Sequence, residues 1–267
     1  MANEYVHGYS AEESVRLVAQ ATTLAELLHA DTRYTTGSLV LEAGCGVGAQ
    51  TVSLAGNSPG AKVVSLDISQ DSLLQARQRI WDLGHDGVVF LRGDVHKLPF
   101  APALFDHVFV CFVLEHLAQP EQALERLRRV LKPGGTITVI EGDHGSAYFY
   151  PDSTAARRAI ACLVELQRRA GGDALIGRRL YPLLLRAGFR RVRVSPRMVY
   201  ADGSRPALVD GFTLKTFPAM VEGVGAEAVG QGLMTEDEWA AGIRDLYRTA
   251  EPDGTLCYTF FKAVAVA

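Results

Sequence analysis

From Ser38 onward the chain alternates short apolar runs with longer amphipathic stretches. SLVLEAG, AKVVSLD, GVVFLRGD, FDHVFVCF and GGTITVIEG each read as buried strands. Between them, SQDSLLQARQRIWDLG and PEQALERLRRVLKPGG carry apolar residues at helical spacing. The second closes on Pro133-Gly134-Gly135, a helix stop followed by permissive backbone. Strand–helix alternation of this kind means parallel strands joined by crossover helices. The fold class expected is α/β, a doubly wound and mostly parallel sheet.

The flanks follow other rhythms. Residues 10–30 place Val15, Val18, Ala19, Leu24, Leu27 and Leu28 at helical spacing, with Ser10 and Glu13 set as a capping box. After Glu141 the alternation breaks at GDHGSAYFYPDS, which reads as an aromatic loop, and STAARRAIACLVELQRRAGG reads as an added helix. RRLYPLLLRAGF and RRVRVSPRMVY resume a helix and a strand, residues 204–254 form a second helical insertion, and TLCYTFFKAVAVA is a closing strand. The expected organisation is one domain: an N-terminal helical cap over 1–37, a ligand-binding core over 38–141, and insertions over 142–180 and 204–254 that act as a lid.

Composition excludes several partners. With a net charge of −3 over 267 residues, a nucleic-acid binder built on a broad basic surface is not expected. The arginine-dense stretches RRVLKP, RRAIACLVELQRR and FRRVRV read as solvated helix faces and strand edges. Cys45, Cys111, Cys162 and Cys257 stand far apart, without zinc spacing, and Cys45, Cys111 and Cys257, in apolar or glycine-rich segments, read as buried reduced thiols. No apolar run approaches the ~18 residues that a membrane span needs, and the polar, acidic start lacks a secretory pattern. A soluble cytoplasmic protein with no membrane partner is expected.

VLEAGCGVGAQT sets Gly44, Gly46 and Gly48 directly after the first strand and before a helix. In doubly wound folds ligands bind there, outside the carboxyl ends of the strands. The pattern Gly44-x-Gly46-x-x-Ala49 satisfies the permissive dinucleotide fingerprint, and Asp67, at the end of KVVSLD, is spaced to accept hydrogen bonds from a ribose. Glu42 separates the two cofactor classes that share these features. A carboxylate there repels a pyrophosphate and favours a ligand bearing an amino group and a sulfonium. The competing reading of Glu42 is a structural cap.

The segment EAGCGVG resembles the first motif of class I S-adenosylmethionine-dependent methyltransferases. LDIS (Leu66 to Ser69), GDVHKLPF (Gly93 to Phe100), FDHVFVCFVLEHL (Phe105 to Leu117) and RVLKPGG (Arg129 to Gly135) agree in order and spacing. Together they cover Leu39 to about Glu141 and are similar to the branch that includes ubiquinone and menaquinone biosynthesis methyltransferases, which have a Rossmann-like fold. The resemblance implies S-adenosylmethionine as cofactor, S-adenosylhomocysteine as product, and no metal. It implies that the backbone from Gly44 through Cys45 and Gly46 to Gly48 cradles the amino-acid end of the cofactor, with Glu42 near its amino group. Asp67 then holds the ribose, Ile68 packs on the adenine, Asp94 accepts from the adenine amino group, and Val95 offers its backbone nearby. Phe112 and His116 line the wall near the transferred methyl. Tyr9 and Gln20 are further candidates for the amino-acid end.

Methyl transfer from a sulfonium needs no metal, because positioning alone supplies on the order of 7–11 kcal/mol of barrier reduction. A base is needed when the acceptor must lose a proton. His116 and His144 are the candidate bases, since imidazole titrates near neutral pH; Glu141 and Asp143 stand beside them. Tyr5, Tyr9, Tyr148, Phe149 and Phe212 are the candidate acceptor contacts, with His7, Tyr150 and Phe217 near them, and aromatic walls suit a flat, partly apolar small molecule. CFVLEHL replaces the Asn/Asp-Pro-Pro-aromatic tetrad of amino-group nucleic-acid methyltransferases. The alternatives carried forward are a nicotinamide-dependent oxidoreductase and a non-catalytic cofactor-binding domain. The acceptor atom and the oligomeric state, homodimer included, stay open.

Overall fold

A computed structural model describes residues 11–267, with side-chain surroundings from Val15 onward. The capping box of Ser10 and Glu13, and the candidates Tyr5, His7 and Tyr9, lie outside the residues so described.

The chain begins with α1 (Ala11–His29) and then winds β1 (Leu39–Ala43), α2 (Ala49–Asn57), β2 (Lys62–Asp67), α3 (Gln70–Asp82) and β3 (Val88–Arg92). It continues with β4 (Phe105–Cys111), α4 (Pro120–Val130) and β5 (Leu131–Tyr150). The remainder comprises α5 (Thr154–Arg169), α6 (Leu180–Arg186), β6 (Arg190–Asp202), α7 (Pro206–Leu208), α8 (Phe217–Glu222), α9 (Gly225–Gly230), α10 (Glu236–Arg248) and β7 (Thr255–Val266). Seven strands form one sheet in the order β3-β2-β1-β4-β5-β7-β6. The first five pair in parallel, and β7 runs antiparallel to both β5 and β6. The expected doubly wound α/β architecture is the one observed.

Alternation along the strands splits the core into two layers, because successive side chains point to opposite faces. Val40 and Phe109 pack with Leu24 and Leu28 of α1, with α5 and with α10. Leu41 and Val108 pack on the other face with Leu124 and Leu127 of α4 and with Leu183 and Leu184 of α6. Helix α4 buries Ala123, Leu124, Leu127 and Val130, the three-and-four spacing of a single stripe, and starts on Pro120, where the missing amide hydrogen costs nothing. In α10 the Thr235 hydroxyl and the Glu238 carboxylate form a reciprocal capping box.

Two sequence expectations need correction. GDHGSAYFYPDS is not a loop: β5 runs on through Tyr150, held by pairing of Tyr148 with Cys257 and Tyr150 with Thr255 of β7. Its register slips between Asp143 and Tyr148, so His144 leaves the ladder and its amide donates instead to the Ala174 carbonyl at 2.9 Å. GVVFLRGD is not fully buried either, since β3 is the sheet's edge and Val89 is 62% exposed. The 204–254 insertion is helical as expected, but in short pieces: α7, a π-helical turn at Val209–Leu214, α8 and α9, before the longer α10. All four cysteines are free and buried. Among the described residues no helix is long and apolar enough to cross a membrane.

Candidate active site

A cavity of about 540 Å³ opens at the carboxyl ends of β1 to β5, beside the point where strand order reverses between β1 and β4. Its volume falls in the range of small-molecule sites. Gly44, Cys45, Gly46, Asp67, Ile68, Asp94 and Val95 line one end. Phe112, Glu115, His116, His144, Phe212, Phe217, Tyr258 and Phe260 line the other, and Leu17 and Gln20 of α1 close the wall.

At the first end the turn after β1 is held from below. The amides of Gly44 and Cys45 donate to the Leu66 carbonyl at 2.7 and 3.1 Å. The Gly46 amide donates to Asp67 Oδ2 at 2.7 Å and the Ser69 amide to Oδ1 at 2.9 Å, so Asp67 ties two loops together and faces the cavity in one orientation. Burial raises the Asp67 pKa, and the two amides work against that rise. Gly46 has φ +51°, and a Cβ built on it meets nothing within 4 Å. Gly48 has φ +77° and no such room: its Cβ would lie 2.8 Å from Ala76 Cβ, where α2 meets α3. Asp94 starts a tight turn by accepting the His96 amide at 2.8 Å.

At the second end Phe112 adopts φ +57° and turns the chain under the cavity. Glu141, wholly buried, accepts the amides of Val113 and Leu114 at 3.0 and 2.8 Å and so fixes that turn. Burial, then the neighbouring Glu115, pushes the Glu141 carboxyl well above the usual range and toward its neutral form. Glu115 sits between two imidazoles: its Oε1 lies 3.6 Å from His116 Nε2 and its Oε2 lies 3.5 Å from His144 Nε2. His144 Nδ1 is 2.7 Å from the Tyr258 hydroxyl. Around them Phe217, Tyr258 and Phe260 pack ring on ring with centroids 4.7–5.0 Å apart, and Phe212 stacks on Phe217 at 6.3 Å.

The family described as "Methyltransferase domain" matches residues 41–139. The stretch spans the glycine turn, Asp67, Asp94 and the Phe112–His116 turn. An uncharacterized 37.1 kDa protein in transposon TN4556 of Streptomyces fradiae is 36% identical over 190 residues, covering 70% of this chain and 54% of that one. The ubiquinone/menaquinone biosynthesis C-methyltransferase of Pseudomonas savastanoi pv. phaseolicola is 40% identical over 108 residues, 40% of this chain and 42% of that one. Residues 41–139 carry a methyltransferase domain. The chain spans about half or less of the length of these two relatives. Among solved structures, Haemonchus contortus phosphoethanolamine N-methyltransferase 2 in complex with phosphomonomethylethanolamine and S-adenosylhomocysteine shares the fold. Its TM-score is 0.56 at 18% identity, covering 92% of this chain and 52% of that one.

Among the described residues, most expected site residues converge on the cavity wall, and four do not. Glu42, expected at a ligand's amino group, is 2% exposed beneath the glycine turn and accepts the hydroxyls of Thr51 and Ser65 at 2.8 and 2.6 Å. Burial lifts its pKa to about 7, so the charge argument that singled it out is weaker than its position in the sequence implied. Gly48 serves helix packing and does not line the cavity. Tyr148 is exposed on the outer face of β5, with its hydroxyl toward the Met198 sulfur at 3.7 Å. Phe149 points the other way into the core beneath Arg157. Alternation along an unrecognised strand separates both from the site.

Asp143, raised beside the candidate bases, is held by a two-pronged pair with Arg178 at 2.6 and 2.8 Å. Glu115 and Tyr258 were missed. The signal for Tyr258 was present: Tyr258, Phe260 and Lys262 alternate along one face of the last strand, and all three are buried. Glu115 carried no such signal, because a carboxylate in LEHL reads as a solvated turn. Among the described residues no group of three His, Cys, Asp or Glu side chains is set to hold a metal ion.

Proposed function

We propose that this chain transfers the methyl group of S-adenosylmethionine to a small, flat, partly apolar acceptor, aromatic or heterocyclic in character. One observation carries the reading: a single cavity whose two ends differ in chemistry. The Asp67 and Asp94 end, with the open face of Gly46, suits a polar adenosine and amino-acid ligand, because a side chain at Gly46 would occupy that space. The cofactor supplies a methyl group made electrophilic by the sulfonium it is bonded to. The chain's own contribution is placement. Gly44 and Gly46 offer backbone without side chains, Asp67 accepts from ribose hydroxyls, Ile68 and Val95 flank the base, and Phe112 lines the acceptor end.

The aromatic end orients the acceptor by its faces. His116 and His144 are the imidazoles within that end able to take a proton. Phe212, Phe217 and Met220 come from the 204–254 insertion, and His144 and the Glu115 partner Gln167 from the 142–180 segment. This supports a single domain in which both insertions cover the acceptor and exclude water.

Calorimetric titration with S-adenosylhomocysteine and, separately, NADH tests the proposal. Micromolar binding of S-adenosylhomocysteine alone is expected. Binding of NADH alone would move the chain to nicotinamide chemistry and overturn the assignment of Asp94.

A further inference from the structure

Resting on that reading, we propose that Glu115 is the positioning residue of a proton-accepting pair in which His144 Nε2 receives the acceptor's proton. The acceptor class that follows is one whose reacting heteroatom carries a proton, such as a phenol, an enol or an amine.

Geometry selects His144. The residue is 4% exposed and lines the cavity, and its Nε2 is buried with no hydrogen-bond partner among the described residues. A buried ring nitrogen in that condition is satisfied when a ligand atom arrives. A neutral imidazole has one donor and one acceptor, whereas an imidazolium donates from both nitrogens. Both nitrogens of His144 face an oxygen: Nδ1 the Tyr258 hydroxyl at 2.7 Å, and Nε2 the Glu115 carboxylate at 3.5 Å. At 3.5 Å the Glu115 contact is too long for a good hydrogen bond, yet it is close enough to stabilise charge. The pocket is therefore built for the protonated ring, while burial keeps the resting ring neutral and its pKa lowered.

The other groups facing His144 supply no counter-charge to its protonated ring. From α1, Arg16 opposes its protonation, as does His116 on the turn after β4. On its own strand Asp143 is paired with Arg178, and Glu141 is pushed toward its neutral form, so neither supplies the counter-charge. From β7, Tyr258 is held neutral by burial. From α8 the uncharged Phe217 ring packs against it at 6.2 Å between centroids. Among the described residues, Glu115 is the group whose charge favours a protonated His144. Hydrogen bonds from two other segments hold it in place. Gln167 Nε2 donates to its carboxylate at 3.2 Å and to its carbonyl at 3.1 Å, and the Asp173 amide donates to the same carbonyl at 2.7 Å.

The step balances. The acceptor's X–H bond gives its proton to His144 Nε2, its electron pair forms the bond to the methyl carbon, and the carbon–sulfur pair stays on sulfur. One positive charge is lost at sulfur and one is gained at His144, opposite Glu115.

The test is a ¹⁵N-NMR titration of the histidines in the full chain with S-adenosylhomocysteine bound, comparing wild type with Glu115→Gln. In wild type, His144 is expected to carry its neutral-form proton on Nδ1 and to titrate within the accessible range. In Glu115→Gln its proton affinity falls about tenfold or more, one pKa unit, or it ceases to titrate. A shift of less than about 0.3 unit, a neutral form protonated at Nε2, or a wild-type His144 that never titrates would each overturn the proposal. If Glu115→Gln does not fold, Glu115→Asp keeps the charge but withdraws it by one methylene, and a smaller drop of about threefold is expected; no drop overturns the proposal. Failure of the wild type to bind S-adenosylhomocysteine at all would instead remove the reading on which this one rests.

Discussion

A methyl group added at Gly48 would sit 2.8 Å from Ala76 Cβ and 2.9 Å from Ala76 Cα, whereas one added at Gly46 meets nothing within 4 Å. Both residues hold positive φ, +77° and +51°, so either alanine carries the left-handed strain of about 1–2 kcal/mol. Gly48→Ala adds overpacking between α2 and α3, about 1–3 kcal/mol more. Its expected cost is therefore about 2–5 kcal/mol against about 1–2 for Gly46→Ala. In a chain of this size each kcal/mol lowers Tm by about 2–4 °C. Thermal unfolding without ligand should drop by roughly 4–20 °C for Gly48→Ala and roughly 2–8 °C for Gly46→Ala. Binding should rank the other way. The Gly46 methyl projects into the cavity, and a clash of about 1–3 kcal/mol weakens S-adenosylhomocysteine by roughly 5- to 150-fold. Folded Gly48→Ala should bind within about threefold of wild type. Calorimetry beside the melting curves decides the matter. If Gly48→Ala loses binding and keeps its Tm, while Gly46→Ala does the reverse, the division of the turn into a packing glycine and a ligand glycine is refuted.

Asp67→Asn replaces a carboxylate that accepts two amides and faces the cavity, and loss of a charged hydrogen bond of about 1.5–3 kcal/mol should weaken S-adenosylhomocysteine by roughly 10- to 150-fold in calorimetry. Glu42 has its pKa raised by burial from 4.5 to about 7, so the folded state holds its proton more tightly than the unfolded chain. Its contribution is complete below about pH 4.5 and is lost as pH rises through about 7, at about 1.4 kcal/mol per pH unit between them. Wild type should therefore lose about 3 kcal/mol relative to Glu42→Gln between pH 4.5 and 8 in urea unfolding, and parallel pH profiles would show that Glu42 is not protonated in the fold. Lys262→Met removes the donor that serves the Leu28 carbonyl, the Thr32 hydroxyl and Asp31 at the end of α1, at 3.0, 2.6 and 2.5 Å. A loss of about 1–3 kcal/mol is expected, with hydrogen exchange accelerating first in α1.

The glycine, Asp67 and Asp94 end of the cavity was legible because short stretches of chain write it. The glycine turn and Asp94 follow their strands by a residue or two and Asp67 ends its own, and a parallel sheet brings successive strand ends to one rim. Local pattern fixes each position, and the topology aligns them without any further information. Glu42 shows the limit of that reasoning. Its place before the glycines was read correctly, but the direction of its side chain depended on pleat parity, which turns it toward Thr51 and Ser65 below the turn.

The acceptor half was less legible because no single stretch encodes it. Glu115 lies on the turn after β4, His144 at a register slip in β5, Phe212 on a π-helical turn and Tyr258 on the last strand. Their separations of up to 143 residues close only when β7 inserts between β5 and β6. The slip between Asp143 and Tyr148 is decisive: were the β5–β7 ladder continuous, the alternation that buries Phe149 would set the direction of residue 144 as well. Because the ladder lapses there, His144 takes its backbone bond from Ala174 and its ring bond from Tyr258, and the Glu115 carboxylate comes within 3.5 Å of it. The same lapse hid the strand, since glycine and polar residues interrupt the apolar alternation by which strands are recognised. The irregularity that defeated the sequence reading is the one that brings His144 to the cavity wall.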